Sequence, residues 1–492
     1  LNAITHRIEK VFVEVNTSNL ESATIFKNKI GRFLETEVFP KLEQTLDELN
    51  QTGRVARIDS LNLKIATLRD DFFNTLESEI VKQFSAKIES EIGFSGKKIN
   101  EGNVTEKVEI ITTDQNREKV FLFFLENGHL PWFGTEEEVS EFLQLSNWEK
   151  SLENPEFISQ LTHLLKSENS IIERFVFQLD KKLLITFLLK IKPEISKAKK
   201  NILTLFQRLP SKTQSTFFRF LFAASTGNEM QKITPTARLL SNALLEIIQQ
   251  KNENLTRTIH TEFTGFFEKA DLIPNAEQEK ISEMILDLFE NFKPDLYDLK
   301  EKKDAIPDEI QKEKETKQES FLNKKEDEIA VQNAGLVLLH PFLKSFFKNQ
   351  KLLDEQGNIL VARRHLAVQM VHYLATGEED FFESNLVFCK FLCGVPLEIP
   401  VPRESLLTQS DKNEANLLLS EVIKHWAALK NTSPGGLRQM FLQRNGKLFK
   451  KEKNYRLIVE RKAQDVLLDK LSWNISLVKL SWWNELLYIE WQ

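Results

Sequence analysis

Between Lys300 and Glu328 the composition changes abruptly: 18 of 29 residues are charged, with Lys and Glu alternating in short blocks. Such a stretch has too little apolar surface to offset the entropy of ordering it. It predicts a linker, an extended charged helix, or both, and it divides the chain into two halves. The rest is globular in type: of 492 residues 41% are hydrophobic and 28% charged, and Phe occurs 37 times, whereas a disordered chain is poor in aromatics. At ~150 residues per domain the length suggests about three units.

A net charge of −6 argues against a general nucleic-acid binder, because neutralising phosphates needs a basic surplus on some face. Two local surpluses exist. Nine basic residues from Lys181 to Lys212 face only Glu194, and nine from Arg438 to Lys462 face only Glu452 and Glu460. Such runs read as solvated faces before they read as surfaces for an acidic partner. Cys389 and Cys393 lie four apart on an expected helix. Without a nearby His pattern they cannot complete a zinc site, and a disulfide across one helical turn is geometrically poor. Buried free thiols in a reducing compartment are the better reading. No segment approaches the ~18 consecutive apolar residues of a membrane-spanning helix. Residues Leu1 to Arg7 carry no signal-peptide apolar core, although a chain that begins on Leu leaves a trimmed leader open.

The N-terminal region reads as strand, helix, strand, helix. Val11, Val13 and Val15 alternate as in a strand, and Asn19 can cap a helix carrying Ile25, Ile30, Phe33, Leu34 and Val38. Pro40 forces a kink or restart before Leu42, Leu46 and Leu49 continue the stripe. Leu61, Leu63 and Ile65 predict a second strand, and Leu68 to Ile88 a long amphipathic helix. From Gly93 to about Gln115 a polar connector follows; its Gly96-Lys97 pair lacks the spacing of a phosphate loop.

Phe123-Phe124-Leu125-Glu126-Asn127-Gly128-His129-Leu130-Pro131-Trp132-Phe133 joins an apolar helix to an Asn-Gly stop and a Pro-aromatic clasp. His129 there is a turn residue rather than a base, having no partner acid or nucleophile nearby. From about Glu136 to Phe292 the pattern is helical, with helices expected at Glu156 to Leu165, Ile171 to Leu189, Thr213 to Ala224, Pro235 to Gln249 and Glu277 to Phe289. No fixed repeat period defines a solenoid. The aromatic run Phe217-Phe218-Arg219-Phe220-Leu221-Phe222 is core by default, a partner groove by exception.

In the C-terminal region, helices are expected at Leu366 to Leu374, stopping near Gly377, at Val387 to Leu392 and at Leu417 to Leu429. A Ser433-Pro434-Gly435-Gly436 turn then leads to an amphipathic run from Leu437 to Leu442. Alternation at Tyr455–Val459, Ile475–Leu480 and Leu486–Glu490 predicts three strands. The fold class is mixed and predominantly α: a small α/β unit over 1–95, a helical middle over 117–295, a charged linker over 296–332 and an α+β domain over 333–492.

No catalytic constellation emerges. The eight histidines lack metalloprotease pairing; His365 and His372, seven apart on one helical face, lack a third ligand and read as satisfied or exposed. Contiguous Glu378, Glu379 and Asp380 read as solvated acids, and there is no nucleophile elbow or phosphate-binding glycine loop. The expectation is a non-enzyme without cofactor or metal.

Several long motifs carry a resemblance. They are the Leu130-Pro131-Trp132-Phe133 element; Ala334 to Leu343, with His340 and Pro341; Tyr373 to Glu379, with Gly377; and Leu392-Cys393-Gly394-Val395-Pro396-Leu397 followed by Pro400-Val401-Pro402. Further on come Trp426 to Arg438, with Lys430, Asn431, Ser433 and Pro434; Phe441 to Arg444; Gly446 to Leu448; Val459-Glu460-Arg461-Lys462-Ala463; Asp465 to Asp469; and aromatics at Trp473 and Trp491. On these the chain resembles the contractile injection system tape measure family. Departures stand at Phe133, where the family has a second Trp; at Ala427, Ser472 and Ser481, where it has Pro; and at Gln464, where an aromatic is usual. They bear on local loop conformation rather than on membership.

The resemblance implies a structural assembly protein that sets the length of the inner tube of a phage-tail-like particle. Its expected partners are inner tube, baseplate or cap proteins, with no nucleic acid. It is expected in the cytoplasm during assembly and then within or attached to the particle. A non-enzymatic adaptor or chaperone-like module that recruits tail parts or cargo is the alternative. A ruler stops subunit addition where its end is reached, and a wholly helical chain of this length bounds that reach at roughly 740 Å.

Overall fold

In the computed structural model of the protein, the residues described are 6–16, 20–49, 53–65, 72–93, 108–227, 230–250, 252–270, 272, 275–290, 328–429, 431–451 and 453–492. Asn19, Leu68, the Gly96-Lys97 pair, Lys430 and the charged stretch as far as Asp327 lie outside them. Two compact units result, Leu1–Val120 and Phe121–Gln492.

In the first unit, helix Leu20–Phe33 runs through a π-helical turn, Leu34–Val38, into helix Phe39–Leu49. Pro40 explains the turn. It has no N–H to donate and its ring crowds the preceding carbonyls, so the ladder widens just before it, with the Phe39 N–H bonding to the Leu34 carbonyl. Val38 and Leu42 pack on Phe84 and Ile88 of helix Phe72–Gly93. Strand β1, Arg54–Ile58, pairs antiparallel with β2, Val108–Thr112. Both strands expected here are displaced. Val11 to Val15 has no ladder partner among the described residues and Phe12 is 90% exposed, while Leu61 and Leu63 pack on the helices from outside any strand. β2 falls in what reads as connector. Alternation alone does not make a strand: the only ladder among the described residues of this unit joins β1 to β2.

The second unit begins with the helical region. Helix Thr113–Asn127 stops at Gly128, whose φ of +74° suits glycine. Thr135 and Glu138 form a capping box for helix Glu136–Phe142, and Asn154 caps helix Pro155–Ser167 with Pro155 in its first turn. Trp148 lies among Phe121, Phe142, Phe157, Phe175 and Phe187, with ring centroids 5.6–6.3 Å away. Its Nε1 donates to the Leu183 carbonyl at 3.2 Å. The expected helix from Ile171 to Leu189 is two, Asn169–Gln178 and Lys181–Ile191, broken where Leu179 and Asp180 are extended. Pro235 lies inside helix Met230–Ile248 rather than at its start. Phe217, Phe218, Phe220, Leu221 and Phe222 are all buried, as core requires.

The C-terminal region adds a five-stranded mixed sheet in the order β3-β4-β5-β7-β6, comprising β3 Glu328–Val331, β4 Gly446–Lys451, β5 Asn454–Val459, β6 Leu477–Val478 and β7 Leu487–Trp491. Only β5 and β7 are parallel. β5 and β7 match the expected alternations and β6 is shorter than expected, whereas β4 and β3 are additions. β3 lies inside the expected linker span, so the sheet begins before residue 333. Helices Arg364–Thr376, Val387–Leu392 and Gln409–His425 share one apolar core with this sheet.

Trp148→Ala removes the ring at the centre of five others, and truncation of a buried aromatic costs about 3–5 kcal/mol. Denaturant unfolding followed by near-ultraviolet circular dichroism is expected to show that loss, with Trp148→Phe costing less.

Candidate functional site

Arg174 sits within Ile171-Ile172-Glu173-Arg174-Phe175-Val176, so the helical period that buries Ile171, Phe175 and Gln178 buries the guanidinium too. Its Nη1 donates to the Leu125 carbonyl, its Nη2 to Leu397 O at 2.8 Å and its Nε to Glu383 Oε1 at 3.3 Å. Lys390 Nζ meets the same Glu383 oxygen and donates to Leu397 O at 3.2 Å. One turn after Arg174, Gln178 donates to Val401 O and accepts from the Glu383 N–H, both at 3.1 Å. The helical region is thereby fastened to the loops around Glu383 and Leu397. The three charged side chains are at most 1% exposed, and among the described residues Glu383 Oε2 has no hydrogen-bond partner. Two cations on one carboxylate strain the site. Burial, opposed by Glu383, pushes the Lys390 ammonium down to about 8. Gly128 completes the cradle, since a Cβ there lies 2.7 Å from Leu397 O and 2.8 Å from Arg174 Nη2.

A second buried ion pair holds the C-terminal motifs together. Arg444 Nη2 bonds Asp465 Oδ1 at 2.7 Å, its Nε donates to Met440 O, and its guanidinium lies over the Phe441 ring. Asp465 Oδ2 accepts from the Lys462 N–H. Trp426, fully buried, packs on Phe441 and Trp473 and donates to Leu467 O at 3.1 Å. Trp473 Nε1 reaches Leu338 O, and His340 Nε2 meets Asn474 O at 2.8 Å, its pKa lowered by burial. Ser433 caps helix Pro434–Leu437, its hydroxyl accepting from Gly436 N–H, and the expected run to Leu442 continues as a π-helical turn. Gly377, at φ +76°, ends helix Arg364–Thr376 and leaves room for Arg438; Gly394, at φ +63°, faces Trp482. Pro396 follows in the loop.

The remaining motif residues are peripheral. Pro341 opens helix His340–Asn349, and Asn431 is exposed. Glu460 pairs with Lys462 at 3.6 Å, and the exposed Arg461 donates its N–H to Gln492 O. The Trp491 Nε1 has no hydrogen-bond partner among the described residues. Pro131 is buried, while Trp132 is 44% exposed against Phe133. At a departure from the family pattern, Gln464 donates to Met440 O at 3.2 Å.

Arg174, Glu383 and Lys390 escape a reading by motif, whereas Asp465 opens one. A charge set inside an apolar helical run, as in Val387-Phe388-Cys389-Lys390-Phe391-Leu392, is the signal that finds two of them. His372 is buried, 4% exposed, with its ring set edge-on to Phe381 and beside the backbone of Asp380. Glu379 and Asp380 are not merely solvated but pair with Lys412 and Arg403. Cys389 and Cys393 are free and buried, which pushes both thiols up. Among the described residues no group of three or more His, Cys, Asp or Glu could hold a metal ion, and no helix is long and apolar enough to cross a membrane.

Throughout these clusters, buried polar groups join one segment of chain to another. The chain belongs to the contractile injection system tape measure protein family, whose model matches residues 5–491. It is thus a structural assembly protein of a contractile injection system and associates with components of that particle; the family is not an enzyme class. No curated protein and no solved structure matches the chain.

Two substitutions separate the roles in the buried cluster. Glu383→Gln leaves two cations without a counter-charge, and breaking such a pair costs about 3–5 kcal/mol; Lys390→Met leaves Arg174 and Glu383 balanced and is expected to be near neutral or stabilising. Between about 8 and 10.5 the unfolded chain holds a proton at Lys390 that the folded chain has released. The stability of the native protein relative to Lys390→Met is therefore expected to rise with pH across that window, by at most about 3 kcal/mol. Denaturant titrations at several pH values test both.

Proposed function

We propose that this protein sets the length of the inner tube during particle assembly, with its folded units docking on inner tube, baseplate or cap proteins. The observation that carries this reading is the family match over residues 5–491. The free, buried Cys389 and Cys393 fit assembly in the reducing cytoplasm before incorporation into the particle. No group is assigned a catalytic role.

Among the described residues no single helix runs as a long rod. The longest described helix, Phe72–Gly93, has 22 residues and reaches only about 33 Å. Deletions within Lys300–Glu328 leave in place every buried residue named above. They are expected to shorten the tube by no more than about 1.5 Å per residue removed, measured as mean particle length by electron microscopy. An unchanged mean length at normal yield overturns a measuring role for this stretch and favours an adaptor.

A further inference from the structure

Phe12 is the most exposed large apolar side chain among the described residues, at 90%, and it sits in the run Lys10-Val11-Phe12-Val13-Glu14-Val15 of the first unit. Exposure alternates along this run. Val11, Val13 and Val15 are 49, 46 and 38% exposed, so the valines are partly covered while Phe12 stands in water. β-Branched and aromatic residues at a period of two favour a ladder. Yet among the described residues no backbone hydrogen bond ties residues 11–15 to another segment. An apolar run whose N–H and C=O groups are left open is a template for pairing with another chain.

The run is also its own complement. Laid antiparallel against a second copy with Phe12 opposite Phe12, Val11 meets Val13 and Lys10 meets Glu14, each pair occurring on both sides of the two-fold axis. Lys10, Phe12 and Glu14 then share one face of the ladder, and Val11, Val13 and Val15 the other. Opposite charges and β-branched or aromatic pairs set directly across a ladder stabilise it, whereas like charges there oppose it. Other arrangements lose the match. A parallel pairing in register sets Lys10 against Lys10 and Glu14 against Glu14, and moving the antiparallel centre to Val13 sets Phe12 against Glu14.

We propose that residues 10–14 pair antiparallel with the same residues of a second copy of this chain, forming a two-fold dimer through the first unit. Such a contact is isologous and closes on itself, so it yields a dimer rather than a filament. Main-chain hydrogen bonds supply its affinity, and the Lys10–Glu14 pairs fix direction and register. A ladder this short lies at the small end of specific interfaces, and the association is expected to be weak and reversible. The inference rests on the sequence and exposure of the run and makes no use of the tube-length reading.

The test uses the whole chain, whose native Cys389 and Cys393 are buried, with cysteine cross-linking and light scattering over a range of concentrations. Phe12→Cys is expected to give a disulfide-linked dimer under mild oxidation, because residues directly opposite in an antiparallel pair have Cα atoms about 4.5–5.5 Å apart, within disulfide reach. Asn16→Cys, also at an exposed position, is expected not to, since the register holds the two copies of residue 16 about 27 Å apart at ~3.4 Å per residue. Lys10→Glu and Glu14→Lys, both at exposed residues, are each expected to raise the dimer dissociation constant at least about tenfold. An equimolar mixture of those two variants is expected to restore dimers, because the reversed charges match across copies. A chain that stays monomeric, dimers indifferent to either charge reversal, no rescue on mixing, or equal cross-linking by Asn16→Cys overturns the proposal. Association without a Phe12→Cys cross-link places the run on another surface, such as the edge of β1 or β2, and overturns it as well.

Discussion

The Glu383 carboxylate, shared by Arg174 and Lys390, is the point on which the second unit depends. Three charges at most 1% exposed cannot be left in an apolar interior unless each is met, and here the meeting requires segments far apart in sequence. Arg174 comes from the helical region, Glu383 and Lys390 from the C-terminal region, and the carbonyls of Leu125 and Leu397 supply the remaining acceptors. If the helical region and the sheet-bearing region separate, Lys390 keeps Glu383 and Leu397 O, but Arg174 loses Glu383 and Leu397 O and Gln178 loses Val401 O and the Glu383 N–H. The apolar cores give each region its bulk stability, and the ion cluster fixes how the two fit.

That coupling changes the meaning of the charged stretch. As composition, Lys300 to Glu328 reads as the divide between two halves. In space, residues on either side of it belong to one compact unit, and the last residue of the stretch, Glu328, opens an edge strand whose Ile329 and Val331 enter the same core as Trp426 and Leu448. A run of charge states what a segment cannot bury; it does not state whether the segments it connects bury surface against each other.

Much of the C-terminal region was legible because its signals are local. Gly377 ends a helix by its positive φ, Ser433 and Pro434 start one through a cap, and the alternation from Tyr455 to Val459 lies on a strand with one face in the core. What escaped depends on distant partners. β4 carries Lys447, Lys450 and Lys451 and buries chiefly Leu448, so its strand state comes from β3 and β5 on either side. Arg54–Ile58 is a strand because Val108–Thr112 is there to pair with, while the cleaner alternation of Val11 to Val15 meets no ladder among the described residues. The same limit applies to the candidate sites. Trp426 and Arg444 stood within motifs, but Arg174, Glu383 and His372 acquire meaning only from what folding brings beside them.

A ruler and a packed body make opposite demands on a helix. Drawn out as one helix, residues 121–290 would reach about 255 Å, at about 1.5 Å per residue. Packed as they are, Trp148, Phe175, Phe187, Phe217 and Phe222 are at most 1% exposed. Drawing the region out would put those rings into water and strip Arg174 and Gln178 of acceptors in the C-terminal region, losing roughly 1.5–3 kcal/mol for each large apolar side chain exposed. Only a lumen lined with apolar surface could offset that loss. In water the balance favours the folded body, so any contribution of this region to tube length would be set by the dimensions and contacts of a folded unit.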